Sequence, residues 1–484
     1  MIMKRLCFVF ASVAVLVSCG GEIDPPAPEK APAPIMLNSI PEDGAEGIKE
    51  GSLDVVFCFD QNVRCSSDLS NVSIDNEAEV TGIRAYDKNV TVSIGGIVAG
   101  CRYTLKIKAG TVKGFKPEQE SVGELAISFS SAEKIPYVPA VSDPTDKLVN
   151  PKASAEAQKV YNLLLELNGK QMLSGAMSGS SNSNDHCNSI AELTGKHPAM
   201  AGYDFIFLQY SPTPEGWNWV QNYNDISAAQ QQWNAGGLVS YMWHWNVPTN
   251  EQAWKNGLEK YDFNGYAFYS DKTAFDIKRA LTEGTWENEF ILKDIEELAG
   301  YLKNLQDAGI PVIWRPLHEA AGNYDLYGDN CAWFWWGKGG AEACKKLWML
   351  LYDKLVNEHG LDNLIWLWTL DVTPGAEEHY AEWYPGNDYV DIIGVDIYED
   401  NTDAKARQYQ AALDLCGGKK LVTISECGNI PDPEKCLDAA QAWSWFMVWP
   451  SDKGWPLNTN NYWKNLMGSD KVLTREELST LLKK

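Results

Sequence analysis

From residue 151 onward the chain alternates short apolar runs with longer amphipathic ones, and this alternation limits the architectures open to it more than any other feature. Eight of the short runs read as strands: "KQMLSGAM", "HPAMAGYDF", "GGLVSYMWHW", "IPVIWRPLHE", "DNLIWLWTL", "YVDIIGVDIY", "KLVTISECG" and "SWFMVWP". Between them lie segments such as "NEFILKDIEELAGYLKNLQDAG" and "GGAEACKKLWMLLYDKLVNEHG", with apolar residues at i, i+3 and i+4 and a closing Gly, the pattern of amphipathic helices. Eight apolar strands with mostly helical connections predict a (β/α)8 TIM barrel over 151–484, more economically than a doubly wound sheet. No Gly-rich phosphate loop opens any of the helical segments, so nucleotide binding has no support.

The preceding region has a different texture. Over 36–131, runs such as "LDVVFCF", "NVTVSIGG" and "RYTLKIKAG" are separated by Gly, Asn and Asp, which predicts an all-β sandwich. Its opening, "SIPEDGAEGIKEGSLDVVFCFDQNV", resembles bacterial Ig-like modules, and a spacer role is expected, with glycan binding the alternative. Residues 132–150, rich in Pro, Ser and Asp, read as a linker. At the N-terminus Lys4 and Arg5 precede an apolar run from Leu6 to Val17, too short to span a bilayer and suited to an export signal. The run ends in "LVSC", which resembles the bacterial lipobox. A lipoprotein signal over 1–18, acylation at Cys19 and a Pro-rich tether over 19–35 are expected, the alternative being an ordinary cleaved signal. The protein would then be exported and lipid-anchored to the bacterial outer membrane, with the lipid its sole membrane contact.

A formal net charge of −24 disfavours nucleic acid and anionic membrane surfaces as partners. The 20 Trp and 21 Tyr mostly fill core, yet such side chains also suit the C–H faces of sugar rings. Of 11 Cys, those outside the signal and the lipid site leave an odd number, with Cys58–Cys65 and Cys331–Cys344 as candidate disulfides. Zinc-site spacing is absent, and the adjacent His186 and Cys187 read as incidental.

Active sites of such barrels lie at the C-terminal ends of the strands. Glu319 closes the fourth run and Glu426 the seventh, three strand–helix units apart. Strand parity groups Ile313, Arg315, Leu317 and Glu319 on one face, and Val422, Ile424 and Glu426 on another, so inward-facing sets would aim both acids into the mouth. A lone Glu at a strand end is more often a surface or ion-pair residue. Two acids flanking a pocket are what acetal hydrolysis requires, one protonating the leaving oxygen and the other attacking or activating water.

The motifs "WRPLHEAAG", "WFWWG", "DNLIWLWT", "YVDIIGVDIY" and "ISECGN", in this order, resemble glycoside hydrolase family 26, over roughly residues 150 to 480. The resemblance implies a retaining endo-β-1,4-mannanase acting on mannan, glucomannan or galactomannan, with Glu319 the acid/base and Glu426 the nucleophile. It implies substrate contacts from His244, Trp333, Trp336 and Trp243, and from Tyr398, whose hydroxyl would orient the nucleophile. His318 would contact substrate or hold the acid site in place. Asp396 shares the face of Tyr398, and Arg315 and Asp204 are expected to support the site from behind. One of Trp443, Trp445 and Trp449 could stack on sugar. A β-mannan partner, a monomer and no metal or cofactor are implied. A β-glucanase or xylanase, or a non-catalytic surface glycan-binding lipoprotein, are the alternatives. The segment "AAGNYDLYGDNCA", with Tyr324, Tyr327 and Cys331, is longer than the family pattern and is expected to line the cleft.

Overall fold

The computed structural model describes residues 31–482 except 117–118, 134–137, 179–181, 212–221, 257–263, 329–330, 374 and 452–453, and the side chain at 256. The export signal, Cys19 and most of the tether lie outside the described residues. Two compact units divide after Tyr137. No described helix is long and apolar enough to cross a membrane.

The first unit is a sandwich of two four-stranded sheets. One orders Met36–Ile40, Gly51–Phe59, Asn89–Ile97 and Glu79–Tyr86; the other orders Ala45–Ile48, Leu125–Ser131, Arg102–Ile107 and Val72–Ile74. Alternation explains the packing. Val55, Phe57, Val90, Val92, Leu105, Ile127 and Phe129 all point between the sheets and are buried, whereas their neighbours along each strand are exposed or half-buried. Each such side chain contributes roughly 1.5–3 kcal/mol on burial.

In the second unit eight parallel strands close on themselves. They are β1 (Met172–Met177), β2 (Met200–Asp204), β3 (Leu238–Met242), β4 (Val312–Arg315), β5 (Leu364–Leu370), β6 (Ile392–Ile397), β7 (Leu421–Cys427) and β8 (Trp443–Val448). Each pairs with the next, and β8 returns to β1 through Leu173 opposite Trp445. The expected barrel is therefore present.

Two apolar layers follow from strand parity. Leu173, Leu238, Ile313, Ile365, Ile392, Leu421 and Trp445 fill the interior and pack with Val160, Leu164 and Leu167 of the helix Ala155–Leu167. Val239, Trp314, Trp366, Ile393, Val422 and Ile424 face the surrounding helices. The helix Trp286–Asp307, which delivers the chain to β4, is typical of that outer layer. Thr285 caps it by accepting the Asn288 N–H at 3.1 Å, Glu287 and Glu289 complement its dipole, and Phe290, Ile291, Leu298 and Leu302 form its buried stripe. It stops at Gly309, whose φ of 68° suits a residue without Cβ.

Candidate active site

The chain reaches the mouth at Glu319 by a turn, not by strand continuation. β4 ends at Arg315, before Pro316, and Leu317 and Glu319 both adopt φ 51°. Non-glycine residues in that region cost about 1–3 kcal/mol each, a strain typical of functional sites. Leu317 accordingly packs in the helix-facing layer, not beside Arg315, so the parity expected through Leu317 to Glu319 fails.

Parity fails at β7 as well. Val422 and Ile424 face the helices, which in a regular strand would send Glu426 outward too. The register between β6 and β7 instead shifts from Val395 opposite Ile424 to Asp396 opposite Glu426. This bulge inserts one extra residue, Ser425, and turns Glu426 inward. The Ser425 hydroxyl donates to Asp396 Oδ1 at 2.7 Å, and room for its side chain comes from Gly394 on β6, where a Cβ would lie 2.3 Å from Ser425 Oγ.

The result is an acidic trio around one cation. Carboxylate oxygens of Glu319, Asp396 and Glu426 lie within 4.8 Å of one another. Arg315, 2% exposed, sends Nη1 to Glu426 Oε1 at 2.5 Å, its second terminal nitrogen to Asp396, and Nε to Thr369 Oγ1 at 2.8 Å. Such a trio could hold a divalent cation, but here the guanidinium already bonds two of its three members.

The acids differ in environment. Burial, reinforced by the charges of Asp396 and Glu426 and only partly offset by Arg315, holds Glu319 well above the usual carboxylate range. Burial pushes Asp396 up to about 7 against the pull of Arg315. Glu426 by contrast receives a second donor, the Tyr398 hydroxyl, 2.6 Å from Oε2. Burial thus favours the neutral form of Glu319, whereas both oxygens of Glu426 accept hydrogen bonds, from Arg315 and from Tyr398.

Next to this group, Asp204 Oδ2 accepts from His244 Nδ1 at 2.6 Å, and His244 Nε2 lies 3.3 Å from His318 Nε2. Burial, then the neighbouring His244 and Arg315, keep the His318 pKa well below its ordinary value. Asp204 orients the His244 ring through Nδ1, and one hydrogen between the two facing Nε2 atoms ties His244 to His318.

The predicted platforms sort clearly. Trp333 is half-buried and lines the cleft with Glu319, Asp371, Thr373, Asp396 and Tyr398. Gly322 lets its indole lie against the backbone, since a Cβ there would meet the ring at 2.2 Å. Tyr398 is 45% exposed at the rim. Three expectations of direct sugar contact are corrected. Trp243 is 1% exposed and stacks on Trp245 at 4.0 Å within the helix-facing core. Trp336 is fully buried, and its Nε1–H donates to the His318 carbonyl at 2.9 Å, so it supports the histidine. His318, 1% exposed, holds His244 and does not face the cleft. Among the eighth-strand tryptophans, Trp443 and Trp445 are core, whereas Trp449 is half-buried with its ring 6.0 Å from that of His244.

The described part of the long insertion turns back onto the helices. Tyr324 packs edge-on to Trp383 at 5.3 Å and Asp325 accepts from Trp383 Nε1 at 2.9 Å, so of this region it is Trp333 that reaches the cleft beside Glu319. The nine described cysteines are all free, which removes both expected disulfides. His186 and Cys187 are structural, the former bonding the Met177 carbonyl at 2.8 Å. Sequence reading missed Thr369, Ser425 and Trp455. The tilted ring of Trp455 lies 5.7 Å from Tyr398, and no pattern in the sequence marks it. Ser425 had one signal, its place beside the acid in "ISE".

Comparison with known proteins agrees with this geometry. The model of glycosyl hydrolase family 26 matches residues 149–477. Mannan endo-1,4-beta-mannosidase B of Piromyces sp is 39% identical over 324 residues, which are 65% of this chain and 50% of that protein. A mannan endo-1,4-beta-mannosidase of Thermothelomyces thermophilus is 36% identical over 68% of this chain and 63% of its own length. The chain thus spans about half to somewhat under two thirds of these curated relatives. The family 26 domain of a Prevotella bryantii endo-beta-mannanase/endo-beta-glucanase superposes with a TM-score of 0.62 at 36% identity, over 69% of this chain and 99% of that domain. A beta-mannanase from a symbiotic protist of the termite Reticulitermes speratus, complexed with gluco-manno-oligosaccharide, gives 0.59 at 34% identity, over 70% and 99%. With most of its barrel matched by the family model and the paired acids at the ends of β4 and β7, the chain belongs to glycosyl hydrolase family 26.

Proposed function

We propose that the protein is a retaining endo-β-1,4-mannanase. The observation that carries this reading is the approach of the Glu319 and Glu426 carboxylate oxygens to within 4.8 Å. Retaining glycosidases hold their two carboxyls about 5–5.5 Å apart, whereas inverting ones leave about 6.5–9.5 Å for a water. Protonated Glu319 gives its proton to the glycosidic oxygen as the C–O bond breaks, and ionised Glu426 bonds to the anomeric carbon. Glu319, now a carboxylate, deprotonates the incoming water, which takes the anomeric carbon and releases Glu426. In this reading Trp333, Tyr398, Trp449 and His244 contact the sugars, which the cleft positions of Trp333 and Tyr398 support. The names of the relatives support mannan as the substrate, and subsite side chains, not the acid pair, choose the sugar.

Products from mannan, galactomannan, glucomannan, mixed-linkage glucan and xylan test the reading. Internal cleavage of the mannans with the β-anomer appearing first in proton NMR is expected. An α-anomer first excludes retention, and silence on all five favours a binding protein. One relative carries endo-beta-glucanase in its name beside endo-beta-mannanase, which is why the glucan belongs in the panel. The basic pair Lys4 and Arg5, the apolar run and "LVSC" support lipid anchoring through Cys19 to the outer membrane. Labelled palmitate should enter the wild-type protein in bacteria and not Cys19→Ala.

A further inference from the structure

The hydroxyl of Tyr398 reaches Glu426 from the first residue after β6, so its aim depends on the loop that follows. That loop is closed from beneath. Lys405 Nζ bonds Glu399 Oε2 at 2.8 Å, the Asn401 carbonyl at 3.2 Å and also Asn401 Oδ1. Gln408 takes the other Glu399 oxygen, and Asn429, three residues past Glu426, donates to the Glu399 carbonyl at 3.2 Å. Asn429 Oδ1 in turn accepts from Leu457 N at 3.0 Å, and Asn458 Nδ2 donates to the Gly428 carbonyl at 2.9 Å. The loops after β6, β7 and β8 are thereby stitched around the acid, including the one that lays Trp455 against Tyr398.

Helix stability does not account for Lys405. It occupies the N-cap of the helix Ala406–Cys416 with φ 60° and makes no side-chain cap. A cation there opposes the helix dipole, and Asn, Asp or Ser would serve better. Its side chain is 2% exposed, and a buried ammonium is tolerated only when its donors are used. Lys405 uses them on the loop, not on the helix.

We infer that Lys405, through Glu399 and Asn401, is a positioning residue that holds the Tyr398 hydroxyl on Glu426. The inference rests on the hydrolase reading for the role of Glu426. Around that acid stand Arg315 from β4, Asp396 from β6, Tyr398 just after it, and Glu319. Losing the Tyr398 bond therefore removes one of the two side-chain donors that reach its carboxylate among the described residues.

A double-mutant cycle on the full chain tests it, with Lys405→Met, Tyr398→Phe and both together. Lys405→Met should lower kcat on a β-mannoside about tenfold, the scale of one charge-assisted hydrogen bond, with KM changed less than about twofold. The double variant should be no slower than Tyr398→Phe alone, and Lys405→Arg should recover most of the rate. Additive losses, or no recovery in Lys405→Arg, overturn the inference. Where Lys405→Met fails to fold, Glu399→Gln takes its place in the cycle. Wild-type activity judges the hydrolase reading separately. Without substrate, fluorine NMR of 3-fluorotyrosine at position 398 should show one resonance in the wild type and a broadened or split one in Lys405→Met. An identical spectrum counts against the anchor whatever the substrate is.

Discussion

Arg315 Nη1 lies 2.5 Å from Glu426 Oε1 while the other arm of the same guanidinium holds Asp396, so one buried cation ties together the ends of β4, β6 and β7. Each partner is almost fully shielded, with side-chain exposures of 3% for Arg315, 4% for Asp396 and 5% for Glu426. Removing the cation alone leaves two uncompensated carboxylates. Arg315→Met should therefore destabilise the barrel by about 3–5 kcal/mol in urea unfolding near neutral pH. The deficit should shrink in acid, where the carboxylates protonate. A loss that is the same at both pH values would mean that packing, not charge, is what Arg315 supplies.

The bulge at Ser425 depends on space left by Gly394. A methyl group there would sit 2.3 Å from Ser425 Oγ and 2.6 Å from its Cβ. Gly394→Ala should cost about 1–3 kcal/mol of stability, as overpacked cores do. It should also depress kcat far more than KM, because the residue that moves is the neighbour of Glu426. Thermal unfolding and steady-state kinetics together read both effects.

Stability should depend on pH through Glu319. Its folded pKa is raised above the ordinary carboxyl value of about 4.3, so the native state binds a proton that the unfolded chain releases. Its contribution is intact below that ordinary value and is lost as pH rises toward the raised one. Asp396, pushed up to about 7, acts in the same sense. Glu319→Gln, which cannot ionise, should thus gain melting temperature over wild type at about pH 8 and gain little at about pH 5. Equal differences at the two pH values would contradict the raised pKa.

Reductant should leave the melting temperature unchanged, since Cys58, Cys65, Cys331 and Cys344 are all free thiols. A downward shift equivalent to about 2–5 kcal/mol would restore the bridges that the sequence invited.

Much of the barrel was legible because β-strands buried on both faces and amphipathic helices write different periods into a sequence. The eight runs predicted as strands are the eight strands of the closed barrel. The position of both acids was legible too, but not the reason for their aim. Alternation along a regular strand would carry Leu317 inward with Arg315, and the left-handed turn prevents it. The same alternation would send Glu426 outward with Ile424, and the bulge reverses it. Neither irregularity has a marker in a single sequence beyond Pro316 and Gly394. Aromatic platforms were harder still. Trp243 and Trp333 both sit in aromatic clusters of the sequence, and only burial separates core filler from cleft wall.

The proposed covalent glycosylation of Glu426, with Glu319 managing the proton, is the step on which the hydrolase function rests. It is tested most directly by incubating the protein with a 2-deoxy-2-fluoro-β-mannosyl fluoride and weighing the intact chain by mass spectrometry, followed by peptide mapping. The fluorine slows both steps, and the good leaving group lets the first proceed. One added fluoromannosyl group per chain is expected, on the peptide containing "ISECGN" and specifically on Glu426. Adduct should still form in Glu319→Ala and be absent from Glu426→Ala. Label on any other residue, or full turnover of mannan by Glu426→Ala, would contradict it.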